Sequence, residues 1–157
     1  MAYSKANFEA RLAEGNKTEK YVAERLVAAG VIIVIPEYPE GMPTSYYTKN
    51  QVDLLANDFV LEVKGRNLRF DNVANYKYDT IFVESTDGFD RKVHTPHFYV
   101  SVSNPTGAII ALDVEQTRDT WTTSQVTDRQ RNYSYPMYSA KTSLWIDFDE
   151  FVQRLSA

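Results

Sequence analysis

Three residues near the middle of the chain, Asp53, Glu62 and Lys64, have the types and the spacing for metal-assisted chemistry. If Asn57-Asp58 forms a two-residue turn, counting outward from it places Asp53 directly opposite Glu62. Opposed side chains in an antiparallel pair lie about 4.5–5.5 Å apart at Cβ, and like charges there are destabilising. Lys64 shares the face of Glu62 because side chains alternate along a strand. The spacing therefore predicts two carboxylates and an amine on one face of a hairpin.

This arrangement suits a divalent cation held by oxygen. Mg²⁺ usually takes one or two carboxylates, keeps several waters and completes its shell with phosphate oxygens of a substrate. Asp53 and Glu62 meet that need, and Mn²⁺ is expected to substitute for Mg²⁺. A nearby amine such as that of Lys64 helps to position the attacking water and stabilises developing negative charge.

A long helix precedes the hairpin, predicted over residues 4–29 and ending near Gly30. Six residues at steps of four and three form one stripe of this helix, namely Phe8, Leu12, Gly15, Glu19, Val22 and Leu26. Glu19 is the one acid on that stripe, so it is expected to face the sheet and to join Asp53 and Glu62 as a third carboxylate.

The remaining elements predict a chain of the α/β or α+β class with a mixed sheet. Hydrophobic alternation and turn residues divide the chain into short segments. The predicted strands are residues 31–35, 51–56, 59–64, 80–84, 97–103, 108–114 and 144–148, with short helices at 68–78 and 149–155. No repeat or linker divides the chain, so a single domain over residues 1–157 is expected.

The order of these residues resembles the PD-(D/E)XK nuclease superfamily. The motif consists of Asp53 followed on the next strand by Glu62-Val63-Lys64, with Gly15 and Glu19 on the preceding helix. The residue before Asp53 is Val52, where many members of the family have proline. The resemblance implies a restriction-endonuclease-like fold, in which a central mixed sheet is flanked by helices.

The resemblance also implies a role for each residue. Asp53 and Glu62 would hold the metal, together with the backbone carbonyl of Val63 and the carboxylate of Glu19, and Lys64 would be the catalytic lysine. The implied activity is Mg²⁺-dependent hydrolysis of phosphodiester bonds in DNA, with RNA as an alternative substrate. The family includes Holliday junction resolvases and phage nucleases, and members that cut both strands commonly form homodimers.

Besides a structural or assembly protein whose acidic face binds a partner, two other interpretations stay open at this point. The first is a catalytically inactive nuclease-fold module that binds nucleic acid or a protein partner. The second is an ordinary cross-strand charge cluster on a solvated face, in which Lys64 and Arg66 neutralise Asp53. The intact set of two acids and one lysine favours the enzyme, because a module without catalysis has no need to keep two acids side by side.

Several further acids, lysines and histidines receive a structural interpretation. A second acid-x-lysine triplet, Asp90-Arg91-Lys92, lies in a predicted polar loop and has no opposed acid. Glu84 is predicted to be a solvent-exposed acid at a strand end rather than a metal ligand. The two histidines, His94 and His97, fall short of the three or four ligands of a usual zinc site.

Four arginines are candidates for contact with nucleic acid, because guanidinium groups bind phosphate in a bidentate manner. Arg66 and Arg69 follow the hairpin, and Arg129 and Arg131 lie in a polar stretch of the second half. Arg129 and Arg131 are close in sequence to Tyr133, Tyr135 and Tyr138, and this is the best basic and aromatic patch in the chain.

Composition limits the partners and the cellular location. The chain has 157 residues, a formal net charge of −4 and no cysteine, so it has no disulfide and no cysteine-ligated zinc. Phosphate contacts must therefore be local. Apolar runs are far shorter than the roughly 20 residues of a bilayer span, and no signal-peptide pattern opens the chain. A soluble, cytoplasmic protein with no membrane contact is expected.

Overall fold

A six-stranded mixed sheet forms the centre of the molecule. The computed structural model describes residues 5–157, with side chains described from residue 17 onward. The helices in this part of the chain are α1 (Lys5–Ala28), α2 (Thr44–Asn50), α3 (Thr86–Asp90), α4 (Val114–Thr117) and α5 (Phe148–Leu155). The strands are β1 (Ile33–Val34), β2 (Leu54–Ala56), β3 (Phe59–Arg66), β4 (Thr80–Ser85), β5 (Phe98–Ser103), β6 (Ile109–Asp113), β7 (Thr122–Asp128), β8 (Tyr133–Lys141) and β9 (Ile146–Asp147). The predicted α+β class with a central mixed sheet is confirmed.

The large sheet has different partners on its two faces. Its strand order is β1-β2-β3-β5-β6-β9, with β3 and β5 parallel, and a smaller antiparallel sheet has the order β4-β8-β7. One face packs against α1 and α5 through residues such as Leu26 and Phe151. The other face packs against the small sheet through residues such as Val83 and Tyr99. Because side chains alternate along β3, Leu61 faces the helices while Glu62 and Lys64 face the small sheet.

Helix α1 ends where the sequence predicts. Gly30 adopts a φ of +90°, its N–H bonds to the Val27 carbonyl, and the Val31 N–H bonds to the Leu26 carbonyl. This is the Schellman pattern, which only glycine adopts without a steric cost. Val22 and Leu26 are fully buried, as the stripe predicts. The other apolar or small residues of that stripe, Phe8, Leu12 and Gly15, lie outside the residues whose side chains are described.

The prediction of a buried strand over residues 31–35 is wrong in its burial and in its length. Only Ile33 and Val34 pair, at the edge of the large sheet. Val31 is buried, whereas Ile32 is 73% exposed and Ile35 62% exposed. A run of apolar residues has no periodicity that distinguishes a central strand from an edge, and at this edge neighbours cover the segment on one side alone.

The predicted helix over residues 68–78 is also wrong. The Asn75 side chain accepts hydrogen bonds from the N–H groups of Asp71 and Asn72, and the Asn72 side chain accepts one from the Asn75 N–H. Side chains of asparagine and aspartate compete in this way with helical backbone bonds. The segment therefore forms a series of turns anchored by the fully buried Phe70.

A polar hairpin, β7–β8, was not predicted as strands. Its residues are rich in threonine, serine and tyrosine, which favour strands but show no apolar alternation. The turn places Asn132 at a φ of +54°, a conformation that asparagine tolerates. The second predicted hairpin and the terminal helix are confirmed as β5–β6 and α5. Among the described residues, no helix is long and apolar enough to cross a bilayer.

Candidate active site

The β2–β3 hairpin sets the geometry of the site, and its register is the one predicted. Asn57 and Asp58 form its turn with φ values of 45° and 70°. Leu54 pairs with Leu61 across the hairpin. The paired segment is shorter than the predicted strand over residues 51–56, and Asp53 lies one residue beyond it, where its carboxylate accepts from the Val63 N–H. The turn is held by the Asn57 side chain, which accepts from the Ile32 N–H at 2.9 Å and donates to the Leu155 carbonyl at 3.0 Å.

Asp53 is buried and oriented by two donors. Gln51 Nε2 donates to Asp53 Oδ1 at 2.7 Å, and the Val63 N–H donates to Asp53 Oδ2 at 2.8 Å. Asp53 and Glu19 also share a hydrogen bond between their carboxyl groups. The stripe of α1 is predicted to face the sheet, and its residue Glu19 does so. The backbone of Val63 is part of the site through its N–H, and its carbonyl as a metal ligand stays a prediction.

Glu62 is buried between two lysines. Its Oε1 lies 3.9 Å from Lys64 Nζ and 3.6 Å from Lys92 Nζ. The Glu62 side chain is 9% exposed and that of Lys92 only 6%, whereas that of Lys64 is 29% exposed. Lys64 is thus the one of the two cations whose ammonium group reaches solvent at the site.

A second layer of the site contains Glu84, Lys92 and Tyr99, none of which the sequence analysis included. Lys64 Nζ and Lys92 Nζ each lie 3.5 Å from a Glu84 carboxylate oxygen, and the Tyr99 hydroxyl donates to Glu84 Oε2 at 3.1 Å. The prediction that Glu84 is a solvent-exposed strand-end acid is wrong, because its side chain is 16% exposed. Tyr99 is the register partner of Glu62 on the neighbouring parallel strand.

Lys92 reaches the site because α3 turns the chain back toward the large sheet. The helix is capped by Ser85, whose Oγ accepts from the Gly88 N–H at 3.0 Å. Phe89 anchors the helix in the core, and the Lys92 N–H closes the turn on the Phe89 carbonyl. The sequence alone assigns the triplet Asp90-Arg91-Lys92 to a polar loop. In the structure its lysine is buried beside Glu62 and Glu84. The one local signal in the sequence that this segment packs against the core is Phe89, three positions before Lys92.

Burial and like charge raise the pKa of both paired acids. Burial, with the negative charge of Glu19, raises the pKa of Asp53 to about 6, against the donors from Val63 and Gln51. Burial, with the charge of Asp53, raises the pKa of Glu62 to about 8, although Lys64 and Lys92 oppose this. Burial and Glu62 likewise raise the pKa of Glu19, despite its hydrogen bond with Asp53.

Glu84 behaves in the opposite way although it shares the same lysines. Burial by itself would raise the pKa of Glu84, but Lys64, Lys92 and the Tyr99 hydroxyl together hold it below its ordinary value. The cluster therefore favours the ionised form of Glu84, which lies 3.5 Å from the ammonium group of Lys64. Asp53 and Glu62 are the acids that need additional positive charge to ionise together.

The donor set fits a hard divalent cation. Asp53 and Glu62 offer carboxylate oxygens side by side, and their raised pKa values show that the existing lysines do not fully compensate their charge. Among the residues whose side chains are described, no group of three or more histidine, aspartate or glutamate residues is arranged to hold a metal ion, so Glu19 as a third metal ligand stays a prediction. Mg²⁺ usually takes one or two protein carboxylates and fills its other positions with water and substrate oxygens.

The structure brings two of the four candidate arginines to the site. Arg66 and Arg131 line a cleft of about 750 Å³ that also contains Lys64 and Glu84. Arg131 is paired with Asp128 at 3.5 Å. Arg69 and Arg129 are exposed and are not among the residues that line this cleft, so as contacts to nucleic acid they stay predictions.

The tyrosine patch divides into two parts. Tyr133 and Tyr135 line the cleft, with ring centroids 5.5 Å apart. Tyr138 instead donates to Asp90 and packs against Phe89. His97 has a structural role, because its Nδ1 accepts from the Val60 N–H at 2.8 Å.

Replacing Glu62 by glutamine is expected to stabilise the metal-free protein at high pH. The folded pKa of Glu62 is about 8 and the ordinary value is 4.5, so the wild-type protein loses stability as the pH rises between these values. Glu62→Gln removes this loss, and its free energy of unfolding is expected to exceed that of the wild type by about 2 kcal/mol above pH 8. Urea unfolding with a chelator at a series of pH values measures this. A difference that stays constant across the series would contradict it.

No family model, curated protein or solved structure matches the chain. The interpretation of the site therefore depends on the chemistry of its own residues.

Proposed function

We propose that this chain is a divalent-metal-dependent nuclease that hydrolyses phosphodiester bonds in DNA. The observation that carries the proposal is the side-by-side burial of Asp53 and Glu62, both with raised pKa values, next to Lys64 on the same strand face. Burying two acids together is destabilising, so a protein that keeps such a pair gains something else from it, and carboxyl groups with perturbed pKa values are typical of active sites.

In the proposed mechanism, Asp53 and Glu62 would hold Mg²⁺, and Glu19 and the Val63 carbonyl would support them. The cation, when bound, polarises the scissile phosphate and lowers the pKa of a water molecule. Gln51 and the Val63 N–H orient the Asp53 carboxylate through the two bonds described above. This fixed orientation reduces the reorganisation needed at the moment of reaction.

Lys64 is suited to meet the attacking water and the negative charge that develops on phosphate. Glu84 lies 3.5 Å from the Lys64 ammonium group on one side and Glu62 lies 3.9 Å away on the other. These two contacts hold the amine of Lys64 beside the acids, where it is proposed to orient water and to stabilise the charge that develops on phosphate. Arg66 and Arg131 line the same cleft and are proposed to contact neighbouring phosphates.

A homodimer is the arrangement in which one such site per chain cuts both strands of a duplex. We include it in the proposal for duplex substrates alone, since a single strand needs one site.

The test is a panel of labelled substrates incubated with the protein and Mg²⁺ or Mn²⁺, with and without a chelator. The panel contains linear duplex DNA, branched DNA, single-stranded DNA and RNA. Wild-type protein is expected to cleave a DNA substrate in a chelator-sensitive manner. Asp53→Asn, which keeps the shape of the side chain and removes its charge, is expected to abolish cleavage.

Asp58→Asn is the matched control, because it makes the same chemical change at the exposed turn of the same hairpin, where asparagine tolerates the φ of 70°. This variant is expected to keep wild-type activity. Wild-type protein that leaves every substrate intact would overturn the proposal, and nucleic-acid binding without cleavage would favour the inactive module. Cleavage by Asp53→Asn at the wild-type rate would exclude this site.

A further inference from the structure

A second pocket opens next to the candidate site, on the other side of Arg66. It has a volume of about 580 Å³, and Tyr76, Tyr78 and Phe82 form its aromatic wall. Tyr78 is 55% exposed and Phe82 is 41% exposed, so both rings present apolar surface to solvent that the core does not use. We call this feature, defined by Tyr76, Tyr78, Phe82 and Arg66, the aromatic pocket.

The wall of the aromatic pocket is held in place from behind. The Tyr76 ring packs 5.2 Å from that of the buried Phe70. The Tyr78 carbonyl accepts a hydrogen bond from Thr142 Oγ1 at 2.6 Å. Phe82 lies on the outward side of β4, between the buried residues Ile81 and Val83. The Tyr76 ring and the backbone that carries Tyr78 and Phe82 are therefore held in place before any ligand arrives, which lowers the entropic cost of binding.

The charge of the aromatic pocket suits an anionic ligand with a flat ring. No carboxylate is among the residues that line it. The Arg66 guanidinium lies at its base, where it donates to the Phe82 carbonyl and to Ser101 Oγ. Lys77 Nζ lies 5.4 Å from the centroid of the Tyr78 ring. The cleft that contains Lys64 differs, since three acids line it, Glu84, Asp87 and Asp128.

The aromatic pocket is continuous with the candidate active site. Arg66 lines both the aromatic pocket and the cleft that contains Lys64. Lys64 and Arg66 lie two positions apart on β3 and therefore on the same face, about 7 Å from each other along the strand. A nucleic-acid strand with a phosphate at Lys64 that runs along β3 toward Arg66 passes the opening of the aromatic pocket.

We propose that the aromatic pocket binds an unpaired nucleobase of the DNA strand whose phosphate lies at Lys64. The identity of this ligand rests on the proposed function. Aromatic side chains stack on any base whose face is free, and arginine supplies a planar cation beside it. A base inside a duplex is stacked on both faces, so Tyr78 and Phe82 cannot reach it without extrusion of the nucleotide. The substrate class that follows is single-stranded or locally unpaired DNA.

The experiment is equilibrium binding of a fluorescein-labelled DNA 20-mer, single-stranded or as its blunt duplex, measured by fluorescence anisotropy in EDTA. Tyr78→Ala and Phe82→Ala are each expected to raise the dissociation constant for the single strand by about 5- to 100-fold. The duplex is expected to bind more weakly than the single strand and to respond less to both changes. Tyr78→Phe keeps the ring and is expected to stay within about 2-fold of wild type.

Ile32→Ala is the matched control, because it truncates a 73% exposed apolar side chain just before the edge strand β1. It is expected to leave both dissociation constants unchanged. Thermal unfolding of each variant verifies that it is folded. Wild-type protein that does not bind the single strand would overturn the proposal, and so would equal losses for single strand and duplex or no loss in either alanine variant. EDTA prevents cleavage, so binding is measured separately from catalysis. If the protein cleaves DNA in the presence of metal but neither alanine variant changes binding, the proposal for the aromatic pocket alone is refuted.

Discussion

Lys64→Met is expected to lower the rate of metal-dependent cleavage by about 10³-fold while the protein stays folded. Methionine keeps much of the length of the side chain and removes the ammonium group that lies within 3.9 Å of Glu62. Lys92 stays in place beside Glu62 and Glu84, so the acids keep one buried cation. Single-turnover cleavage at saturating Mg²⁺ separates the chemical step from metal binding.

Lys141→Met is the matched control for this loss. Lys141 is an exposed residue at the end of β8, so the same change is made away from the cleft. The control is expected to cleave at the wild-type rate. Equal rates for Lys64→Met and the wild type would remove Lys64 from the proposed mechanism even if cleavage depends on metal.

Lys92→Met is expected to have the largest effect on stability, a loss of about 3 kcal/mol near pH 8. The Lys92 side chain is 6% exposed and pairs with both Glu62 and Glu84, so its removal leaves buried acids with Lys64 as their one remaining cation. The pKa of Lys92 is raised, since Glu62 and Glu84 outweigh the effect of burial, and the wild-type contribution is therefore complete below the ordinary value of 10.5.

The loss is expected to shrink in acid. Glu84 has a lowered pKa, so its contribution is present above its ordinary value of 4.5 and is lost as the pH falls below the folded value. Urea unfolding at pH 8 and at pH 4 measures the difference. Arg91→Met is the matched control, because Arg91 pairs with Asp87 at 3.0 Å in an exposed ion pair, where little stability is expected. A loss for Lys92→Met that is the same at both pH values would assign the effect to packing instead of charge.

The first layer of the site could be predicted because it depends on local geometry. Asn57 and Asp58 both tolerate positive φ, which specifies a two-residue turn, and the turn then sets the register of the flanking strands. Alternation along β3 gives the common face of Glu62 and Lys64. Glu19 follows from helical periodicity, because it precedes the buried Val22 by one turn.

The second layer could not be predicted because its residues meet through contacts between distant segments. Glu84 belongs to β4, and Lys92 belongs to the turn after α3. The register of the β2–β3 hairpin does not show which face of the large sheet these two segments pack against. The same reason applies to Arg66 and Phe82, whose contact depends on how β4 lies against β3.

The amino-acid sequence by itself determined the turn and register of the hairpin and the common strand face of Glu62 and Lys64, since turn chemistry and strand alternation act over a few residues. Only the tertiary structure decided that Lys92 is buried between two acids, that Glu84 is one of them, and that β1 is an edge. Burial and charge pairing depend on which elements pack against a residue, and packing of the small sheet on the large one is a property of the whole chain.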